Sequence, residues 1–305
     1  MVLFQNNNRL TILMYHRVLS SPNLLHRSNP DEQMFNNHMK VLRRFFNVLP
    51  LSEGVKRLGD RTLPPRAVSI TFDDGYADNY STALPILKNW GLHATFFIAT
   101  GFINGGIMWN DMVIETVAKL SGKILDLEEI NLGVFKIDTI DERFTTVNTL
   151  LTKLKHLPGA ERSRQVQSIV DITNTRLPDD LMMTEKQVYE LRKSSMEIGG
   201  HTVSHPILTS IDNESASIEI HNCKKILENM IDNEVTLFAY PNGKFGRDYT
   251  SQHVEMVRNA GFKYAVATDT GVAKQENDVY MLPRIGPWDR RRLKYGLRLL
   301  KYNYF

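Results

Sequence analysis

At 305 residues, 42% hydrophobic and 23% charged, the chain suits one large globular domain or two small ones. A formal charge of +3 is too mild to imply a nucleic-acid partner, and a single cysteine, Cys223, rules out an internal disulfide. Gln5 to Arg9 is polar, no secretion-signal core is seen and no run is long enough to span a membrane, so the expected location is cytoplasmic or peripheral to a membrane.

Leu10 to Tyr15 reads as a buried first strand, with His16 and Arg17 at its C-terminal end. Asp31 to Phe45 carries Phe35, Met39 and Leu42 near helical spacing. Asn47 to Leu49 is a short strand, and Ser52 is placed to cap a helix running to about Leu58. After Pro64 and Pro65 a strand runs through Val68 to Phe72 into Asp73, Asp74, Gly75 and Tyr76. Asp78 to Trp90 is a helix ended by Gly91, with Asp78 read as a cap or dipole residue. His93 to Ala99 is another buried strand, and this strand, helix, strand order argues for a parallel sheet.

The pattern changes between about 105 and 183. A hairpin around Gly133 and two helices, near 141–157 and 160–177, read as an insertion on the main domain. Trp109, Asn110 and Asp111 at its start would line the mouth of a cleft or, equally, cap a surface helix beside a buried Trp. The alternation resumes with the capping box Thr184 to Gln187. Strands follow at Met196–Gly200, Val235–Ala239, Phe262–Ala267 and Met281–Ile285, with helices at 213–230 and 249–260 between them. Cys223 falls in the first of these helices, as a small core residue. Seven or eight parallel strands suit a single α/β domain over 1–305, a distorted (β/α)7-type barrel with a mostly helical insertion. From 288 to 302 a basic helix sets Arg290, Arg291, Arg292, Lys294, Arg298 and Lys301 among Leu293, Leu297, Leu300 and Tyr304. It would either touch a membrane surface peripherally or pack on its own domain with a solvated basic face.

Two stretches carry chemistry. Asp73 and Asp74 end a strand at the rim where such folds keep their sites, and neighbouring side chains leave a strand end in different directions. One acid can then bind a metal while the other faces a water. His201 and His205 follow Gly199 and Gly200, and Pro206 disfavours the helical region for His205, so the pair sits on a loop after a strand. Two imidazoles and one carboxylate leave coordination positions open, as in catalytic sites.

These motifs carry a resemblance. The chain resembles the polysaccharide deacetylases of carbohydrate esterase family 4, the NodB-homology fold. Thr71 to Gly75 looks like that family's first motif and His201 to Pro206 like its second. The resemblance implies that Asp73 is the general base and that Asp74, His201 and His205 hold one divalent metal, Zn by default, with Co or Ni fitting the same ligands. The third motif lacks its arginine and reads Ala239, Tyr240, Pro241, Asn242, Gly243, and the usual late histidine motif is replaced by Leu282, Pro283, Arg284. With the early Met14 to Val18, this set is similar to the rearranged subgroup that includes poly-N-acetylglucosamine deacetylases. By that resemblance His16 is the general acid and Arg284 orients Asp73, while Tyr240 and Asn242 serve the substrate or oxyanion. The implied substrate is an N-acetylated glycan, or a lipid-linked sugar that loses an acetyl or formyl group. A non-haem iron oxygenase and a non-catalytic glycan-binding module are the rivals outside this class.

Overall fold

The computed structural model describes residues 8–287 and 289–304. The polar start, the residue that opens the expected basic helix and the side chain of Tyr304 lie outside the described set.

In chain order the elements are β1 (Arg9–Tyr15), α1 (Glu32–Phe45), β2 (Asn47–Val48), α2 (Leu51–Gly59), β3 (Ala67–Phe72), α3 (Leu84–Trp90) and β4 (Thr95–Ile98). The insertion contributes α4 (Trp109–Lys119), the hairpin β5 (Ile124–Leu127) and β6 (Gly133–Lys136), α5 (Ile140–Lys155) and α6 (Gly159–Thr173). There follow α7 (Glu185–Lys193), β7 (Glu197–Gly200), α8 (Asn213–Ile231), β8 (Leu237–Ala239), α9 (Ser251–Asn259), β9 (Tyr264–Thr270), β10 (Ala273–Lys274), β11 (Leu282–Arg284) and α10 (Arg292–Tyr304).

The main sheet runs β10-β1-β3-β4-β7-β8-β9-β11, with β2 beside β3. All pairings are parallel except that of β10 with β1. The sheet curls until its ends meet: the Met14 N–H donates to the Ile285 carbonyl (3.0 Å) and the Ile285 N–H to the Ile12 carbonyl (2.9 Å). The chain therefore forms the expected α/β barrel, closed by two hydrogen bonds between β1 and the end of β11.

Strand alternation sorts the side chains. Leu10, Ile12, Phe97, Leu237, Val266 and Leu282 fill one apolar cluster inside the ring. Leu13, Tyr15, Ile70, Phe72, Phe96 and Phe238 belong to the larger cluster between the sheet and its helices. The insertion has a cluster of its own, around Val117, Leu127, Leu150 and Ile169.

Two of the expected helix starts form as read and two differ. Asp31 caps α1 through the Met34 N–H (2.8 Å), and Thr184 and Gln187 form the expected capping box of α7. Ser52 does not cap α2. That end is capped from across the fold by Glu197 of β7, whose carboxylate accepts from the N–H groups of Leu51 (2.6 Å) and Ser52 (3.2 Å). A buried-strand carboxylate reaches the positive helix end better than a serine already inside the first turn. Asp78 stands at the start of the helical turn 79–83 that leads into α3, but its side chain makes no cap hydrogen bond. It accepts from Arg17 Nε (2.7 Å) and the Val18 N–H (3.0 Å), and so holds the loop after β1.

The helix α10 packs through Tyr295, Leu299 and Asn303, with Leu300 alone of the expected leucines against the core. Leu293 is 76% and Leu297 58% exposed. The buried stripe falls at i, i+4, i+8, two residues on from Leu293 and Leu297, and Tyr295 in it stacks on His38 of α1 at 3.9 Å between ring centroids. Among the described residues no helix is long and apolar enough to cross a membrane.

His38 is fully buried there. Its Nε2 lies 2.9 Å from the Asp289 carbonyl, which only accepts, so Nε2 carries the proton and Nδ1 accepts from the Tyr15 hydroxyl (3.1 Å). Burial pushes its pKa down to about 4. The unfolded chain binds this proton near 6.5 and the native chain does not, so stability falls as pH drops from about 6.5 towards 4. Complete titration over that window costs up to roughly 3 kcal/mol. We expect denaturant unfolding to show that slope and His38→Gln to flatten it, whereas an unchanged slope in the variant would place the acid sensitivity elsewhere.

Candidate active site

The site forms at the C-terminal mouth of the barrel. On β3 the inward parity runs through Ser69 and Thr71, so Asp73 points inward as the strand ends. Alternation alone would send Asp74 outward. Its left-handed backbone (φ 79), followed by Gly75 (φ 93), turns the chain so that Asp74 also faces the mouth. Both acids are almost wholly buried, at 2% and 7% exposure.

Each acid has a different partner. Asp73 is clamped by Arg284 of β11: Nη1 donates to Oδ1 (2.7 Å) and Nη2 to Oδ2 (2.6 Å). The guanidinium is itself buried and also donates to the Ala267 carbonyl (2.9 Å) and Thr71 Oγ1 (3.0 Å). Burial works against the Asp73 charge, but Arg284 outweighs it and holds the carboxyl below its usual range.

Asp74 faces the histidines. Its Oδ1 lies 3.4 Å from both His201 Nε2 and His205 Nε2, and the three ligand atoms fall within 4.8 Å of one another. His201 Nδ1 lies 2.7 Å from the Ala239 carbonyl, so its proton is on Nδ1 and Nε2 is turned to Asp74. Burial opposes charge on His201, but the hydrogen bond to Asp74 and the carboxylate charges more than offset it and raise its pKa. Burial pushes His205 down to about 4, leaving it neutral. With no cation between these atoms, a proton on His201 Nε2 offsets the Asp74 charge, and a divalent ion among the same three atoms would stand in that proton's place. This donor set of two imidazoles and a carboxylate therefore fits a divalent metal.

The loop that carries the histidines is braced from α8. Glu219 accepts from the N–H groups of Val203 and Ser204 (both 2.8 Å) and from Ser204 Oγ (2.6 Å). Thr202 (φ 63) and His205 (φ 55) adopt left-handed backbone, a costly conformation for a β-branched residue and for one before proline. Thr202 Oγ1 ties the turn by accepting from the His205 N–H (3.1 Å).

A cavity of about 770 Å³ opens over these groups, between the barrel mouth and the insertion. His16, Asn242 and Trp109 line it together with Asp74 and His205. The His16 carbonyl is held by Asn79 Nδ2 (2.8 Å). The Asn242 N–H has no hydrogen-bond partner among the described residues, and its backbone is left-handed (φ 59). Trp109 opens α4 on the cavity wall with Arg162 over its ring at 5.0 Å. Asp111, two residues on, receives a hydrogen bond from the Tyr76 hydroxyl (2.9 Å), and burial pushes its pKa up to about 7.

Tyr240 is a correction. It is fully buried, stacked on Tyr249 at 3.8 Å, and belongs with Phe238 to the cluster facing the helices. Strand parity explains this: Ala239 points into the ring, so Tyr240 points away from it and from the substrate.

The polysaccharide deacetylase family profile matches residues 60–265, two thirds of the chain and both acidic and histidine motifs. The chain belongs to the polysaccharide deacetylase family. It is 23% identical over 279 residues to YxkH of Bacillus subtilis (strain 168), a polysaccharide deacetylase by name, across 91% of this chain and 71% of that one. The Streptococcus pyogenes deacetylase PplD, solved in complex with acetate, shares the fold at TM-score 0.62 and 20% identity, covering 96% of this chain and 97% of its own. IcaB from Ammonifex degensii does so at TM-score 0.60 and 18% identity, covering 95% and 97%.

Sequence reasoning missed Glu219, Arg17 and Tyr76 in this deacetylase. Glu219 sits on a helix with no motif around it, and only the fold brings it under the histidine loop. Arg17 and Tyr76 did lie beside motif residues, and that adjacency was the available signal.

Removing Arg284 leaves the Asp73 charge buried and unpaired. Arg284→Met should cost about 3–5 kcal/mol in chemical denaturation, and adding Asp73→Asn should recover part of it. A loss under about 1 kcal/mol would mean that the pair is not the buried clamp described.

Proposed function

We propose that this deacetylase is a divalent-metal-dependent hydrolase that removes N-acetyl groups from amino sugars of a polysaccharide or glycan precursor. The observation that carries the reading is the division of labour between adjacent acids. Asp74 converges with His201 and His205, while Asp73 is withheld from them by Arg284.

Asp74, His201 and His205 would hold the metal, with Zn the default for such a donor set and Co or Ni compatible with it. When bound, a divalent ion supplies a lowered pKa for water and polarises the acyl carbonyl. Asp73 accepts the proton of the attacking water, and Arg284 keeps it ionised and oriented for that task. The water oxygen bonds to the acetyl carbon, the carbon–nitrogen bond breaks, and His16 delivers a proton to the leaving amine. Acetate and a free amino sugar result. The Asn242 N–H would receive the oxyanion and Trp109 would face the sugar, a reading supported by their places on the cavity wall. Family membership supports hydrolysis over the oxygenase reading, and the retention of both acids and both histidines supports catalysis over glycan binding alone.

The test is acetate release from N-acetylglucosamine oligomers by chelator-treated protein with and without added Zn. Release should require the metal, and Asp73→Asn should bind metal yet lose on the order of 10²–10⁴ in kcat. Release that persists without metal, or an Asp73→Asn variant near wild-type rate, would contradict the assignment.

A further inference from the structure

The cavity is lined by four lysine and arginine side chains: Arg17, Arg27, Lys155 and Arg162. Two of them are already matched. Arg17 pairs with Asp78 at 2.7 Å, and Arg27 pairs with Asp141. Lys155 and Arg162 form no ion pair with a carboxylate among the described residues. The acid whose field reaches Lys155 is Asp248, whose oxygens are taken by Arg247 (2.9 and 3.0 Å) and the Lys244 N–H (3.0 Å).

Both residues line the same cavity, and the Arg162 side chain is anchored on the Lys155 backbone. Lys155 ends α5 and Arg162 lies in the first turn of α6, and Arg162 Nη1 donates to the Lys155 carbonyl (3.1 Å). That contact engages one of five guanidinium N–H donors. The Trp109 ring lies under the guanidinium, 5.0 Å from ring centroid to Cζ, within cation–π range. Arg162 is only partly exposed, and burial lowers its pKa with no anion to offset it. A guanidinium anchored at one N–H, partly desolvated and without an ion pair can receive a planar or tetrahedral oxyanion through its remaining N–H donors.

We propose that Lys155 and Arg162, seated beside Trp109, form an anion subsite of the cleft, so that the amino sugar deacetylated here carries a phosphate or carboxylate group on the same or an adjoining sugar. This rests on the deacetylase reading, because it takes the cavity over Asp74 and His205 as the place of the acetamido group. A volume of about 770 Å³ is that of a pocket for a ligand larger than one sugar, which lets one molecule reach both ends.

The experiment is calorimetric binding to metal-free protein, so that no bound anion can be credited to the metal. The probes are N-acetylglucosamine 1-phosphate, a hyaluronan tetrasaccharide, and a neutral N-acetylglucosamine tetramer. One charge-assisted contact predicts that an anionic probe binds on the order of 10- to 100-fold more tightly than the neutral one. Arg162→Gln and Lys155→Met should each erode that ratio, and Arg164→Gln, the same charge change at an exposed position on α6, should leave it intact. Preference for the sugar phosphate or for the uronate-bearing probe identifies the source of the anion. Equal affinity for all three probes, or a preference that survives the Arg162→Gln, Lys155→Met double variant, overturns the subsite. Acetate release from the same probes is read separately with Zn. Release without anion preference removes the subsite alone, and anion binding without any release removes the deacetylase reading.

Discussion

The buried pair of Asp73 and Arg284 is the constraint on which the rest of the site depends. Two full charges inside an apolar barrel are tolerated only when each satisfies the other and the remaining donors find acceptors. Here the guanidinium reaches both Asp73 oxygens, the Thr71 hydroxyl and the Ala267 carbonyl. It thereby links β11 to the end of β3 and to β9, across the ring that two backbone hydrogen bonds close at the neighbouring seam. The same clamp separates two chemically identical side chains. Asp73 stays ionised and tied to arginine, and Asp74 is left to the histidines.

Backbone conformation completes that separation. Left-handed residues gather at the mouth: Asp74, Thr202, His205 and Asn242. Each re-aims a side chain or an N–H that regular strand geometry would have sent elsewhere. Such conformations persist only where surrounding contacts over-determine them. The Glu219 brace and the Thr202 hydroxyl do this for the histidine loop. At Gly199 a side chain would meet the Phe97 ring at 2.4 Å, so the strand leading to His201 can sit against the filled barrel only as glycine.

Much of this was legible from residue order. Strand alternation and helix breaks gave the barrel, and the paired motifs gave the three residues that converge and the Asp73 beside them, with His16 on the cavity wall and Arg284 on Asp73. What failed did so for identifiable reasons. Tyr240 looked available because it borders a motif, yet parity turns it into the core. Ser52 lost its capping role to Glu197, 145 residues away in sequence, and no local pattern announces a contact of that range. The leucines of α10 marked its apolar face, but with Tyr295 stacked on His38 only Leu300 of them meets the core, and Leu293 and Leu297 are exposed. Long-range partners such as Glu219 exist only once the chain is folded.

The most direct measurement is anomalous X-ray diffraction from crystals of the Zn-loaded protein. The account predicts a single strong peak coordinated by Asp74 Oδ1, His201 Nε2 and His205 Nε2, with Asp73 outside the coordination sphere and still bidentate to Arg284. A peak coordinated by Asp73 in place of Asp74, or no peak among these residues, would contradict it.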